Sequence, residues 1–437
     1  MSESRQELFF YGAEDEMLTG DSDTSKLNFF TPGDSALIKA DKFVMETIGN
    51  KPIKRVVENA KSFHNDIIEY YGKDECVFGK TYISRVKRQG DLAKNFALQF
   101  FLPVLPEGQS YCNYLGYKII ENIKLDVGGS QFDNQYSNTL YNYDYMNNLV
   151  PSESSMLFIS QSKEQLKTWS QHGNCYKDGK PCINLIVPIT MWFKYFALPL
   201  ISLQWHSCKV YYKITQISEL VNIDVGTSSI LNETIYELEL LCDYIYIESK
   251  QKEQLINHPQ NALIDQTQFT GNEIKNKGQE QIKFKLCFNH PMKYLLVTFC
   301  EVNDNETLGY LHTPQNMTGS EYGYGIKNGG ECFETMTLFH NGKKRCNITN
   351  PLYYREYQGM KYLGKPLPKG MYLFSFALTP FTYQTSGTCN YSRIDNCTLI
   401  IQFPPELKDK KLCISVTGQS VQLMHISQGM AGLKYSK

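Results

Sequence analysis

The chain has 437 residues, with 44 Lys and Arg against 45 Asp and Glu, and a formal net charge of −1. Near-neutrality excludes a global field that would draw it to nucleic acid or an anionic membrane. Aromatic residues at 13% and charged residues at only 20% exclude intrinsic disorder.

The length allows two or three domains, each able to bury its own core. The 30 Tyr and 24 Phe favour strands, where flat rings pack well on a pleated surface. Thirteen cysteines, an odd number dispersed from Cys76 to Cys413, read as free thiols in a reducing compartment rather than a disulfide scaffold.

In chain order, residues 1–26 read as a flexible N-terminal arm. Glu3, Glu7, Glu14, Asp15, Glu16, Asp21 and Asp23 face only Arg5 and Lys26. That sign is wrong for a genome-binding arm, whose affinity would come from phosphate neutralisation. The opening MSESRQELFF also lacks the basic and apolar regions of a signal peptide.

A first unit is expected over 27–220. Phe96, Leu98, Phe100 and Leu102 alternate on one face of a strand that Pro103 ends. Ile119, Ile123, Leu125 and Val127 lead to a turn at Gly128-Gly129, residues 137–149 carry helical periodicity, and 170–181 read as turn-rich. The apolar stretch 185–203 contains Pro188, Lys194 and Pro199, which predicts two strands or extended segments rather than a membrane-spanning helix. A strand at 210–214 follows.

Small residues at 221–229 read as a linker, and 230–437 as a second unit. Strands are expected there at 235–247, 282–288, 294–299, 371–378, 399–403 and 412–416, with a short helix at 250–255. Long polar loops are expected at 303–330 and 341–350. Many short strands joined by long polar loops predict an all-β sandwich or jelly roll.

The candidates for chemistry are few. Glu237 and Glu239 sit two apart on a strand and share a face, as a carboxylate pair for sugar chemistry could, but also as any solvated strand face does. His172, Cys175 and Cys182 offer three metal ligands without a fourth, and without the paired C-x2–4-C spacing of structural zinc sites. GNCYKDGK (173–180) has five residues between its glycines and Pro181 where a phosphate loop needs Ser or Thr. Gly323, Gly325 and Gly329 have no helix after them to complete a phosphate site. Arg85, Lys87 and Arg88 form the densest basic cluster of the first unit, without interleaved aromatics for stacking on single strands. Among the N-x-S/T triplets, Asn305, Asn316 and Asn347 lie in the long loops and are the glycosylation candidates. No set of catalytic, cofactor-binding or metal-binding residues emerges.

Several stretches resemble the major capsid protein family of nucleocytoplasmic large DNA viruses. YGAEDEMLTG (11–20) is similar to the family's YGAxDxxLTG opening. ISRVKRQGDLAKNFALQFFLP (83–103) resembles its SRxGDL strand, with extra residues between Arg85 and Gly90. NYLGYKIIENIKLDVGGSQFDNQYS (113–137) and FALPLISLQWHSCKV (196–210) follow further family patterns. So do CDYIYIE (242–248), LIDQTQFTG (263–271), FNHPMKYLLV (288–297), SGTCNYSRIDNCTL (386–399) and the terminal GMAGLKYSK. Two stretches depart: 29–43 lacks the usual FFKxxYRRHT pattern, and Thr385 stands where the family often has Pro.

The resemblance implies a double jelly roll, two eight-stranded β-sandwiches side by side with long surface loops. It implies a structural protein of the virion capsid, assembled in the host cytoplasm. Homotrimers would form pseudo-hexagonal capsomers tiling an icosahedral shell. Partners would be the chain itself, neighbouring capsomers, and minor capsid proteins or the inner membrane side through the arm, without direct nucleic-acid contact and without a cofactor. A minor capsid paralogue is the alternative. A jelly-roll carbohydrate-binding protein or glycosidase rests only on Glu237/Glu239 and the tyrosine-rich stretch 321–324.

Overall fold

The computed structural model describes residues 56–64, 76–193, 196–223, 234–247, 249–302, 322–326, 330–346, 348–382 and 385–435. The arm at 1–26, the divergent 29–43, Asn305, Asn316, Asn347 and most of the 221–229 linker lie outside the described residues.

Two strand systems stand side by side. In the first, nine strands follow one hydrogen-bonded path that folds into a sandwich. One sheet orders Ser130–Tyr136, Ile120–Val127, Cys208–Ile214 and Thr81–Arg85. The other orders Glu237–Ile245, Leu92–Pro103, Lys180–Pro188 and Cys175–Lys177. Val56–His64 joins them, because Val56 to Lys61 pair with Glu237–Ile245 whereas Ser62 to His64 pair with Thr81–Arg85.

The alternation expected of Leu92–Pro103 is present: Phe96, Leu98, Phe100 and Leu102 are all buried. They share a core with Tyr82, Ile123, Leu125, Val210 and Tyr212 from the facing sheet. The expected turn is at Gly128 and Gly129, both at positive φ. Helix Ser137–Met146 matches the 137–149 periodicity, and Ser249–Asn257 matches 250–255.

Strand Glu237–Ile245 belongs to the first strand system. It follows the 221–229 stretch, yet it pairs with Leu92–Pro103 over eight residues, inside the first sandwich. The pairing reaches from Glu237 back to Phe101, and composition at the linker carries no trace of it.

The turn-rich expectation for 170–181 also gives way to order. Helix Lys163–His172 starts at Ser162, whose side chain accepts from Gln165 N–H, and ends at Gly173. A tight hairpin follows, with Asp178 and Gly179 at φ 51° and 75°. That is the left-handed pair a two-residue hairpin turn demands. The stretch 185–203 holds the end of Lys180–Pro188 and a single 3₁₀ turn at Leu200–Ser202, and no described helix is long and apolar enough to span a membrane.

The second system has one sheet ordered Gln260–Lys275, Lys411–Ser427, Pro291–Val302 and Met371–Ser375, and another ordered Gln281–Leu286, Cys397–Gln402, Thr335–His340 and Lys343–Lys344. Between them lie Phe284, Leu286, Leu295, Val297, Phe299, Leu399, Ile401, Leu412 and Ile414. The arrangement is a double jelly roll, in agreement with the fold class read from the resemblance.

Strand Pro291–Val302 is buried along almost its whole length. Successive side chains on a strand point to opposite faces, so such a run needs cover on both. Leu295, Val297 and Phe299 enter the second core, while Tyr294 and Leu296 join the core of the first sandwich. The sheet carrying this strand is therefore the wall between the two units.

Candidate functional site

The residues singled out for chemistry do not converge. Glu237 and Glu239 lie on the outer face of their strand, between the buried Leu238 and Leu240. Glu237 is ion-paired with Lys177, whose ammonium also sits 4.3 Å from the Phe101 ring centroid, and Glu239 is opposite Gln99 and Lys61. The His172 ring bonds the Thr168 carbonyl of its own helix through Nδ1 at 3.1 Å. Among the described residues no group of three or more His, Cys, Asp and Glu could hold a metal ion. Arg88 is a positioning group: its guanidinium donates to the carbonyls of Leu203, Gln204 and His206, which fixes the loop before Cys208–Ile214.

The most elaborate arrangement is the seam between the sandwiches; the tyrosines of the stretch 321–324, considered for sugar binding, are packed into it. Helix Ser137–Met146 presents Tyr141 to the second unit, and Tyr322 stacks on it with ring centroids 3.8 Å apart and planes 6° off parallel. Tyr114 and Tyr117 meet the Tyr141 ring edge-on, and Tyr324 packs beside Tyr322. The hydroxyls are used as well: Tyr322 Oη and Ser137 Oγ are 2.9 Å apart, and Tyr324 donates to Asn142 Oδ1 at 2.9 Å. Asn138 Nδ2 donates to Ser415 Oγ at 3.1 Å. The edge-on contacts of Tyr114 and Tyr117 with Tyr141 are of the kind that contributes about 0.5–1.5 kcal/mol per pair beyond area burial.

Segment 322–326 is held for this task by the wall. Gly325 N–H donates to Phe299 O, and Glu301 N–H donates to Gly325 O. Gly370 lies so close that a Cβ there would sit 2.2 Å from Gly325 N, so only glycine fits.

At another part of the seam Asp133, Trp192, Phe193, Leu263 and Asp265 line a cavity of about 20 Å³, room for one water molecule. Asp133 accepts from Gln135 Nε2 and Trp192 Nε1, each at 2.7 Å. Asp265 accepts from Lys293 Nζ at 2.8 Å. Burial is the larger influence on Asp133 and lifts its carboxyl from 3.8 to about 6, against the two hydrogen bonds.

The folded protein therefore holds this proton more tightly than the unfolded chain. Asp133 favours folding fully below about pH 4, and that contribution, about 3 kcal/mol, is lost as pH rises through 6. Relative to wild type, Asp133→Asn should gain about that much stability between pH 4 and 7. Urea unfolding at both pH values reads it, and a pH-independent difference would show a carboxyl ionised throughout.

Comparison with known proteins agrees with this architecture. The model for large eukaryotic DNA virus major capsid proteins matches residues 251–432, and that for the major capsid protein N-terminus matches 53–248. The junction of the two falls after Glu237–Ile245, as the strand pairing requires. The major capsid protein of Paramecium bursaria Chlorella virus 1 is 25% identical over 100% of both chains, and that of Pyramimonas orientalis virus is 23% identical over 98% of both. Among solved structures, the quasi-atomic model of the PBCV-1 virus capsid superposes with a TM-score of 0.63 at 22% identity, covering 89% of this chain and 98% of that one. The Faustovirus major capsid protein gives 0.57 at 13% identity, over 95% and 100%. The chain belongs to the major capsid protein family of nucleocytoplasmic large DNA viruses.

Proposed function

We propose that three copies of this chain form a pseudo-hexagonal capsomer that tiles an icosahedral shell. The observation that carries the reading is the buried wall: two sandwiches of similar size are fused through one sheet, so three chains offer six comparable lobes around a threefold axis. Surface chemistry supports it. Trp205, Leu378 and Tyr176 are 77%, 75% and 79% exposed, apolar side chains that contact with a neighbouring copy would cover. A groove lined by Leu352, Tyr353, Tyr357 and Met360 adds to this surface.

The acidic arm is proposed to reach minor capsid proteins or the inner membrane side, and Asn305, Asn316 and Asn347 remain proposed glycan acceptors. We place the border between the units just after Ile245.

Native mass spectrometry of the purified chain should give a species near 150 kDa, about three times the 50.3 kDa chain. A monomer that persists at high protein concentration would overturn the trimer.

A further inference from the structure

We propose that Cys175 and Cys182 form a peroxide-oxidised thiol pair that closes to a disulfide and staples the edge hairpin of the first sandwich. The two residues are directly opposite each other across the antiparallel hairpin Cys175–Lys177 and Lys180–Pro188. Opposed residues in such a pair have Cα atoms about 4.5–5.5 Å apart, within the roughly 4.4–6.8 Å a disulfide spans. Their sulfur atoms are already in contact, 2.8 Å apart.

The approach is built in by the base of the hairpin. Asn174 brackets Asn184 with its side chain, accepting from Asn184 N–H at 2.7 Å and donating to Asn184 O at 3.0 Å, while its own N–H donates to Cys182 O. Gly173, at φ 74°, lies so close that a Cβ would be 2.3 Å from Cys182 O. The two strands are thereby pinned together at the sulfur pair.

Exposure divides the chemistry. Cys175 is half-buried and Cys182 fully buried, where burial and then the Cys175 sulfur beside it push its thiol up. Cys175 is the thiol a small oxidant reaches. Its thiolate attacks hydrogen peroxide, breaking the O–O bond and giving a sulfenic acid with release of hydroxide. The Cys182 sulfur then attacks the Cys175 sulfur, the S–O bond breaks, and the Cys182 proton leaves with the hydroxyl as water. The sum is two thiols and one peroxide to one disulfide and two waters. Cys300 and Cys413 are also opposed across strands, but both are buried in the wall, away from an oxidant.

The staple ties the three-residue edge strand Cys175–Lys177 to its neighbour Lys180–Pro188, so that the last strand of the sheet cannot peel away. It would form once the protein leaves a reducing compartment.

The test treats the assembled full-length protein with hydrogen peroxide, blocks remaining thiols with iodoacetamide in denaturant, and digests with trypsin. The expected product links peptide 168–177 to peptide 178–194, and the alkylated thiol count falls by two from 13 and recovers with dithiothreitol. In Cys182→Ser the link should vanish and dimedone should label Cys175 as sulfenic acid. Full alkylation after peroxide, or Cys175 driven to sulfinic acid in the wild type without the linked peptide, would overturn the proposal.

Discussion

Tyr322→Ala is expected to lower the stability of the chain by about 3–5 kcal/mol, the range for removing a large aromatic from a packed interior. Tyr322 is fully buried. Its ring is stacked on Tyr141, edge-on to Tyr114 and beside Tyr324, with the Lys118 ammonium 5.4 Å from its centroid. All of those partners except Tyr324 come from the first sandwich, so truncation removes adhesion between the units as well as volume. Lys118 is itself buried and its ammonium is pushed down by that burial, so loss of the ring also strips a buried cation of its π partner.

A second signature follows from the position. If the seam couples the units, guanidinium unfolding of the wild type should show one transition, and Tyr322→Ala should separate it into two. Tyr322→Phe keeps the ring and loses the Ser137 hydrogen bond, so it should cost only about 1 kcal/mol and keep a single transition. A single unaltered transition in Tyr322→Ala would mean that the sandwiches hold together without this cluster.

The parts of the fold legible in the sequence are those where one face is wet. Phe96 to Leu102 alternate with partly exposed neighbours, and the period is visible. The wall defeats that signal. Lys411–Ser427 runs for 17 residues, yet only 412–416 reads as strand, because farther along the buried positions include Thr417, Gln419, Ser420 and Gln422. Several of these polar atoms are met by partners: Thr267 Oγ1 bonds Gln419 Oε1, and Gln268 Nε2 bonds Ser420 Oγ. Gln260–Lys275 escapes notice for the same reason, since Gln266 donates to Phe132 O across the seam. A buried polar strand looks like a loop until its partners are known. The seam residues Tyr141, Tyr322 and Tyr324 carry no signal beyond a local excess of tyrosine. The helix at Lys163–His172, by contrast, was signalled by Ser162 followed by Gln165, a start pattern that the glycines and prolines after it obscured.

Asp265→Ala is expected to cost about 3–5 kcal/mol, because it would leave the Lys293 ammonium buried without its counter-charge. The side chains of Lys293 and Asp265 are only 2% and 11% exposed, and the pair is 2.8 Å apart. The geometry depends on an irregularity. Between Met292 and Tyr294 the register against Lys411–Ser427 shifts, so Lys293 is the unpaired residue of a bulge. A bulge re-aims a side chain, and this one sends the ammonium past the intervening strand to Asp265 on Gln260–Lys275, with a further bond to Thr382 O. Two of the segments that carried the family resemblance, LIDQTQFTG and FNHPMKYLLV, thus supply the two halves of one ion pair. The pair sits on the wall beside Asp133, so it fixes sheet register where the units meet. Replacing both groups, Asp265→Leu with Lys293→Met, removes the desolvated charges together and should return most of the loss, to within about 1–2 kcal/mol of wild type. Urea unfolding of Asp265→Leu, Lys293→Met and the double variant measures the coupling. Additive losses in the double variant would show that each side chain acts through its own packing and that the charges are not paired in solution.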